Sequence, residues 1–199
     1  MEFLEIENKL NSIKIKKQTC EELLSQRRKR NDEIKQEVET ILKSQSILQQ
    51  VAKEVQSKLS LKIDSIVNLG LATCFADEYH FKLEYVIARG KTEVEFNLYD
   101  IDENPVDPMN QNGGGLIDIL VFCLRVAVYS ISHTSNIMVF DEPFKYVSKG
   151  LREKTAELLH TLSEKLNIQI IEVTHIEELM ENSDKQFILK KVNGISELI

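Results

Sequence analysis

Tryptophan is absent from this chain of 199 residues, and glycine, proline and cysteine are scarce, at seven, three and three. The glycines can be checked one by one. None of Gly70, Gly90, Gly113, Gly114, Gly115, Gly150 and Gly194 opens the pattern Gly-x-x-x-x-Gly-Lys-[Ser/Thr]. A phosphate-binding loop of that kind, whose backbone amides cradle phosphates while the lysine neutralises them, is therefore excluded. Cys20, Cys74 and Cys123 are odd in number and far apart, without metal-ligand spacing, so reduced thiols in a cytoplasmic setting are the expectation. No apolar run approaches the roughly 20 residues that span a bilayer, and the start lacks a signal-peptide pattern. No membrane partner is expected.

Charge is in excess on one side only in part of the chain. The net value is −7. Residues 1–60 hold 12 Lys/Arg and 10 Asp/Glu, a net +2, which leaves −7 − 2 = −9 for the remainder. That balance argues against a nucleic-acid binder over its whole surface. Any DNA contact would use the N-terminal part, where Arg27-Arg28-Lys29-Arg30 cluster, although a solvated helix face is the default reading of such a run.

No glycine precedes Gly70 and no proline precedes Pro105, so the first third reads as helix. Apolar residues fall at Ile34, Val38, Ile41, Leu48, Ala52, Val55 and Leu59, with Gln45 at the one polar position. The steps alternate four and three, the spacing of a coiled-coil seam. Phe3, Ile6, Leu10, Ile13, Cys20 and Leu24 continue the register with Lys17 interrupting it, and Arg27 and Asn31 break the seam between the patches. Either one long helix carries a weak spot there or the chain folds back, and the lack of turn residues favours the long helix. About 55 residues would extend about 80 Å. Such a stripe requires a partner helix, which a second copy of the chain could supply. Residues 1–62 are expected to form this coiled-coil helix and 63–199 a separate lobe.

Past Gly70 the pattern changes. Tyr79 to Ile87 and Thr92 to Tyr99 largely alternate apolar and polar residues around Arg89-Gly90-Lys91, which predicts an antiparallel hairpin. Pro105 and Pro108 lie in a polar loop that leads to Asn112-Gly113-Gly114-Gly115. A run from Leu116 to Ser130 without Gly or Pro then predicts a helix, and Leu158, Leu159, Leu162 and Leu166 mark another from Leu151 to Leu166. Ile168 to Val173 reads as a strand, Ile176 to Met180 as a short helix and Phe187-Ile188-Leu189 as a closing strand. The order makes an α/β core.

Three segments carry chemistry. The four apolar residues Ile137 to Phe140 read as a strand buried on both faces, ending in Asp141, Glu142 and Pro143. Consecutive strand residues point to opposite faces, so Asp141 and Glu142 must do different jobs: one can hold a metal while the other faces a nucleophile. Glycines just before a helix let an anion approach its first N–H groups. The strand to Val173 delivers Thr174-His175 to one end of a sheet. Each feature taken singly has an ordinary reading as a flexible turn, a solvated strand end or a packed histidine. His80, His133 and His160 lack such a setting and read as structural or surface residues.

Taken in order, these segments resemble the C-terminal lobe of an ABC-type ATPase, with the nearest likeness to the SMC-like, SbcC-type branch of DNA repair and recombination. In that family the signature reads Leu-Ser-Gly-Gly and then an acidic or amide residue. Here Gly113 and Gly114 match its glycines, Asn112 replaces the serine and Gly115 the last residue. Ile137 to Glu142 match the Walker B motif in full and His175 the switch histidine, whereas Val147-Ser148 stands where the D-loop usually carries Leu-Asp. The resemblance covers roughly residues 60 to 199. It implies that Asp141 holds Mg²⁺ through water, that Glu142 orients or deprotonates the attacking water, and that His175 senses the γ-phosphate. It also implies that Asn112, Gly113, Gly114 and Gly115 cap the γ-phosphate of ATP on another subunit. The phosphate loop of the family belongs to an N-terminal lobe, so the resemblance implies half of a composite ATP and Mg²⁺ site, inactive alone and completed by a lobe with a Walker A motif. A non-catalytic protein that dimerises or modulates a full-length SMC-like ATPase is the alternative.

Overall fold

The stretch free of glycine and proline folds as one helix. In the computed structural model, which describes residues 2–109, 113–132, 135–192 and 195–198, helix α1 spans Glu2–Phe75. It ends where Ala76 and Asp77 turn left-handed, at φ 52° and 62°, and the Ala76 N–H donates to the Ala72 carbonyl at 3.0 Å. The chain divides into two compact units, Met1–Val55 and Gln56–Ile199. The first is helix alone. Every described side chain in it is exposed, including the seam residues Ile41 and Leu48.

The second unit starts with the last turns of α1, whose Ile63, Ile66, Val67, Leu71 and Cys74 are buried. Gly70 lies on this stripe for a steric reason. A Cβ there would come within 2.2 Å of Cys123 Sγ and 3.5 Å of a Leu158 methyl. Strands β1, Tyr79–Ala88, and β2, Lys91–Asp100, pair antiparallel with Phe81 opposite Leu98 and Ala88 opposite Lys91. The loop is Arg89-Gly90, both left-handed at φ 52° and 75°, the backbone that matches strand twist in a two-residue turn. Phe81, Leu83 and Leu98 point inward, as the alternation predicts. Two polar side chains of α1 tie the hairpin down. Asn68 brackets Phe81, donating to its carbonyl at 2.9 Å and accepting from its N–H at 2.7 Å, and Asp64 accepts from the Leu83 N–H at 2.9 Å.

Helix α2, Gly114–Ser132, is the centre of the core. Leu116, Ile119, Phe122, Cys123, Val126 and Ala127 are buried, and the Phe122 ring lies 4.8 Å from both Phe140 and Phe144. This corrects the expectation that no apolar segment approaches a membrane span: α2 has the length and composition for one. Its buried side meets α1 through Cys123 beside Gly70 and β3 through Phe122 beside Phe140, while Val121 and Val128 on its other side stay exposed.

Strand β3, Ile137–Asp141, helix α3, Lys149–Leu166, and strand β4, Gln169–Val173, make a parallel β-α-β unit with Val139 opposite Ile171 and Asp141 opposite Val173. Asn167, left-handed at φ 50°, closes α3. Helix α4, Glu177–Glu181, follows and packs on α3, with Arg152 pairing Glu178 at 3.2 Å. Two sequence expectations need correction here. Strand β3 is not buried on both faces: Phe140 is buried, but Ile137 is 49% and Val139 68% exposed. An apolar run cannot show whether its second face is covered. The closing strand is also misplaced, since Phe187 and Ile188 precede it. Strand β5, Leu189–Val192, pairs antiparallel with β6, Ile195–Leu198, with Leu189 opposite Leu198 and Lys190 opposite Glu197.

Candidate functional site

Strand β3 inserts Phe140 into the core and carries Asp141 out to its exposed end. The strand stops there, so alternation does not set the direction of Glu142. Instead its N–H donates to the Val173 carbonyl at 2.8 Å, adding one rung to the ladder, and its backbone turns left-handed at φ 43°. That conformation costs a non-glycine residue about 1–2 kcal/mol and is kept where surrounding contacts impose it. It aims the carboxylate at His175, whose Nδ1 lies 3.0 Å from Glu142 Oε1. Both side chains remain accessible, at 41% for Glu142 and 70% for His175. The histidine is placed from its own side by β4 and by a turn in which Thr174 Oγ1 accepts from the Ile176 N–H at 3.2 Å, with Ile176 buried beneath. Thus Glu142 and His175 are in contact at the carboxyl ends of β3 and β4, and Asp141 stands beside Glu142 as the last residue of β3.

The glycines form a second locus. Gly114 and Gly115 open α2, and a Cβ on Gly114 would come 2.8 Å from Tyr146 Cβ. On Gly115 it would meet the Tyr146 carbonyl oxygen and Val147 Cα at 3.3 Å. Their bareness therefore lets the first turn of α2 approach the backbone that follows β3. Asp118 fastens that approach by accepting from the Tyr146 N–H at 2.7 Å, while burial holds its carboxyl above the usual range. Gly113 differs, since an added Cβ there would meet nothing within 4 Å among the described residues. Asn112, assigned with these glycines, lies outside the described residues. A cavity of about 270 Å³ lies here, lined among others by Phe75, Tyr79, Gly113, Tyr146 and Ser148. Neither Asp141, Glu142 nor His175 lines it.

Sequence reasoning missed Asp118, Tyr146 and Glu172. Asp118 had a signal, a lone carboxylate one turn into an apolar helix. Glu172 had one too, as a carboxylate inside a β-branched strand. Glu172 shares its face of β4 with Phe140 of β3, one of its oxygens is buried without a hydrogen-bond partner among the described residues, and burial pushes its carboxyl up to about 7.

This fold has solved counterparts. A chain described in work on ATP-driven dimerization and DNA-stimulated activation of SMC ATPases superposes with a TM-score of 0.57 at 15% identity, over 74% of this chain and 88% of its own. An Smc head domain with an extended coiled coil from Pyrococcus furiosus, bound to the C-terminal domain of ScpA, gives 0.56 at 14%, over 74% and 35%. An Smc head domain with a coiled coil and joint from Pyrococcus yayanosii gives 0.61 at 16%, over 89% and 33%. The chain has the fold of an SMC ATPase head. It spans about a third of the two Pyrococcus chains. No family model and no curated protein matches the sequence. The long helix followed by an α/β lobe, expected from the sequence, is the architecture these heads share with it.

Proposed function

We propose that this chain is the C-terminal half of a split SMC-like ATPase of DNA repair or recombination, a cytoplasmic protein that supplies signature glycines, Walker B and switch histidine to an ATP site completed by a partner lobe. The observation that carries this reading is an unfinished sheet. Parallel sheets are covered on both faces and rarely stop at two strands, yet β3 and β4 pair only with each other among the described residues. One face leaves Ile137, Val139, Ile171 and Val173 between 45% and 68% exposed. The carboxylates stand at the carboxyl ends of these strands, where open α/β sheets bind ligands. A lobe that brings further strands would cover the face and carry the phosphate loop to that end.

The residues fit a shared magnesium site. Among the described residues no three His, Cys, Asp or Glu side chains cluster as a metal site. Asp141 alone would be one ligand, directly or through water, and Mg²⁺ characteristically takes one or two carboxylates with phosphate oxygens and waters. Bound there, the ion would neutralise phosphate charge. Glu142 then accepts a proton from the attacking water or orients it. While Glu142 accepts from Nδ1–H of His175, the Nε2 of a neutral ring is an acceptor, so donation from Nε2 to a phosphate oxygen requires the imidazolium. Gly113, whose α-carbon faces open space among the described residues, is the glycine best placed to let a phosphate approach from another subunit.

The second reading, a non-catalytic modulator of a full-length SMC-like ATPase, draws on Gly114 and Gly115, whose packing against Tyr146 and Val147 accounts for them without nucleotide. One experiment separates the two. ATP turnover with Mg²⁺ is measured for the purified chain alone and with a lobe bearing a phosphate loop, each with wild type and Glu142→Gln. Turnover that needs both parts and is lost in Glu142→Gln supports the split enzyme. Stimulation of a full-length ATPase that survives Glu142→Gln supports the modulator. Turnover by the chain alone would sink the half-site reading.

A further inference from the structure

The seam of Met1–Val55 carries more information than its apolar residues. Heptad positions a fall at Leu10, Lys17, Leu24, Asn31 and Val38, and positions d at Ile13, Cys20, Arg27 and Ile34. Positions e and g flank such a seam and choose its partner through charge. Between residues 9 and 35, the seam and its flanks hold Lys9, Lys14, Lys16 and Lys17 in one block. Arg27, Arg28, Arg30 and Lys35 make a second. Glu21 is the one carboxylate among these positions, while Glu22, Asp32 and Glu33 fall at the outer positions. The modest net charge of the helix thus conceals a separation: bases gather on the seam and its flanks, while the outer positions hold these three carboxylates and a single base, Lys29. Lys17 pairs with Glu21 at 3.8 Å and Arg30 with Glu33 at 3.3 Å, but all four side chains are more than half exposed, and such pairs contribute little.

A second copy is a poor occupant. In parallel register Lys17 and Arg27 would each face their own copies within the seam. Lys9 would oppose Lys14 of the second copy and Arg30 would oppose Lys35, with Lys16 against Glu21 the one attractive pair. Antiparallel overlap of the same stretch again sets base against base. We propose that the seam between residues 9 and 35 is covered by a separate helix, apolar at its own a and d positions and carboxylate-rich at e and g. This does not depend on the ATPase reading.

The test uses the full chain and a synthetic peptide of five heptads with Ile at a, Leu at d and Glu at e and g, alongside a twin with Lys at e and g. Each peptide repels itself, so helix gained on mixing, read by circular dichroism and anisotropy, reports pairing with the chain. The glutamate peptide is expected to bind at least tenfold more tightly than its twin and to weaken about tenfold between 50 and 500 mM salt, as screening shortens. A variant with Lys14→Glu, Lys16→Glu, Arg28→Glu and Arg30→Glu, all exposed and all good helix formers, is expected to exchange the preference. Equal binding of both peptides overturns the proposal. So does displacement of the glutamate peptide by a 30-base-pair DNA duplex, or self-association of the chain that excludes both peptides.

Discussion

Glu172 makes the stability of this lobe fall as pH rises, opposite to the usual behaviour of a carboxylate. Its carboxyl rises from 4.5 to about 7 through burial, and one oxygen lacks a hydrogen-bond partner among the described residues. The folded state therefore holds a proton that the unfolded state has released between those values, and stability declines across that window. A rise of that size corresponds to about 3 kcal/mol. Solvent reaches the remaining part of the side chain, so about 1–2 kcal/mol is the expected loss between pH 5 and pH 8. Glu172→Gln keeps the shape and removes the titration. Urea unfolding of both proteins at pH 5, 6, 7 and 8 gives the difference in stability at each pH, in which other titrations common to both cancel. The glutamine variant should gain on wild type steadily above pH 5 and level off near pH 8. A difference that stays constant across the range would refute the reasoning and mean that Glu172 finds a partner or water that keeps it charged.

Gly70→Ala should destabilise the lobe by about 1–3 kcal/mol, because its Cβ meets Cys123 Sγ; adding Cys123→Ala should recover part of the loss in thermal melts. Glu142→Gly should be more stable than Glu142→Ala by about 1 kcal/mol, reversing the usual order, because residue 142 is left-handed. Equal denaturation midpoints for those two variants would place the strain elsewhere. Asn68→Ala removes both bonds that bracket Phe81 and should cost about 1–3 kcal/mol. Hydrogen exchange should then quicken along β1 before it does in α2.

What was legible in the sequence was local. The absence of glycine and proline marked α1, Arg89-Gly90 marked the β1–β2 turn, and leucine spacing marked α3, because backbone preference and side-chain period act within a few residues. What escaped depends on distant chain. Glu142 and His175 are 33 residues apart, and their contact rests on the left-handed turn after β3, which no neighbouring residue dictates. The contribution of Gly114 needs Tyr146 beside it to become visible. The bare face of β3 could not be read because Val139 has the same identity whether covered or exposed.

The exposed apolar residues fall where the proposed chemistry would need support. Glu142 hangs from β4 by one backbone bond, to the Val173 carbonyl, and His175 lies two residues beyond. Both catalytic candidates thus take their positions from the end of a five-residue strand whose outer edge is unpaired among the described residues. Isolated strand pairs are marginal in water, and a misplacement of about 1 Å at a reacting group can cost about a hundredfold in rate. A lobe that docked on Ile137, Val139, Ile171 and Val173 would stiffen β4 and fix the Glu142–His175 pair as it delivered a phosphate loop. Under the split-site proposal, covering the sheet and aligning the carboxylate are therefore one event. Weakening the apolar face should then lower turnover in the assembled enzyme even where nucleotide still binds.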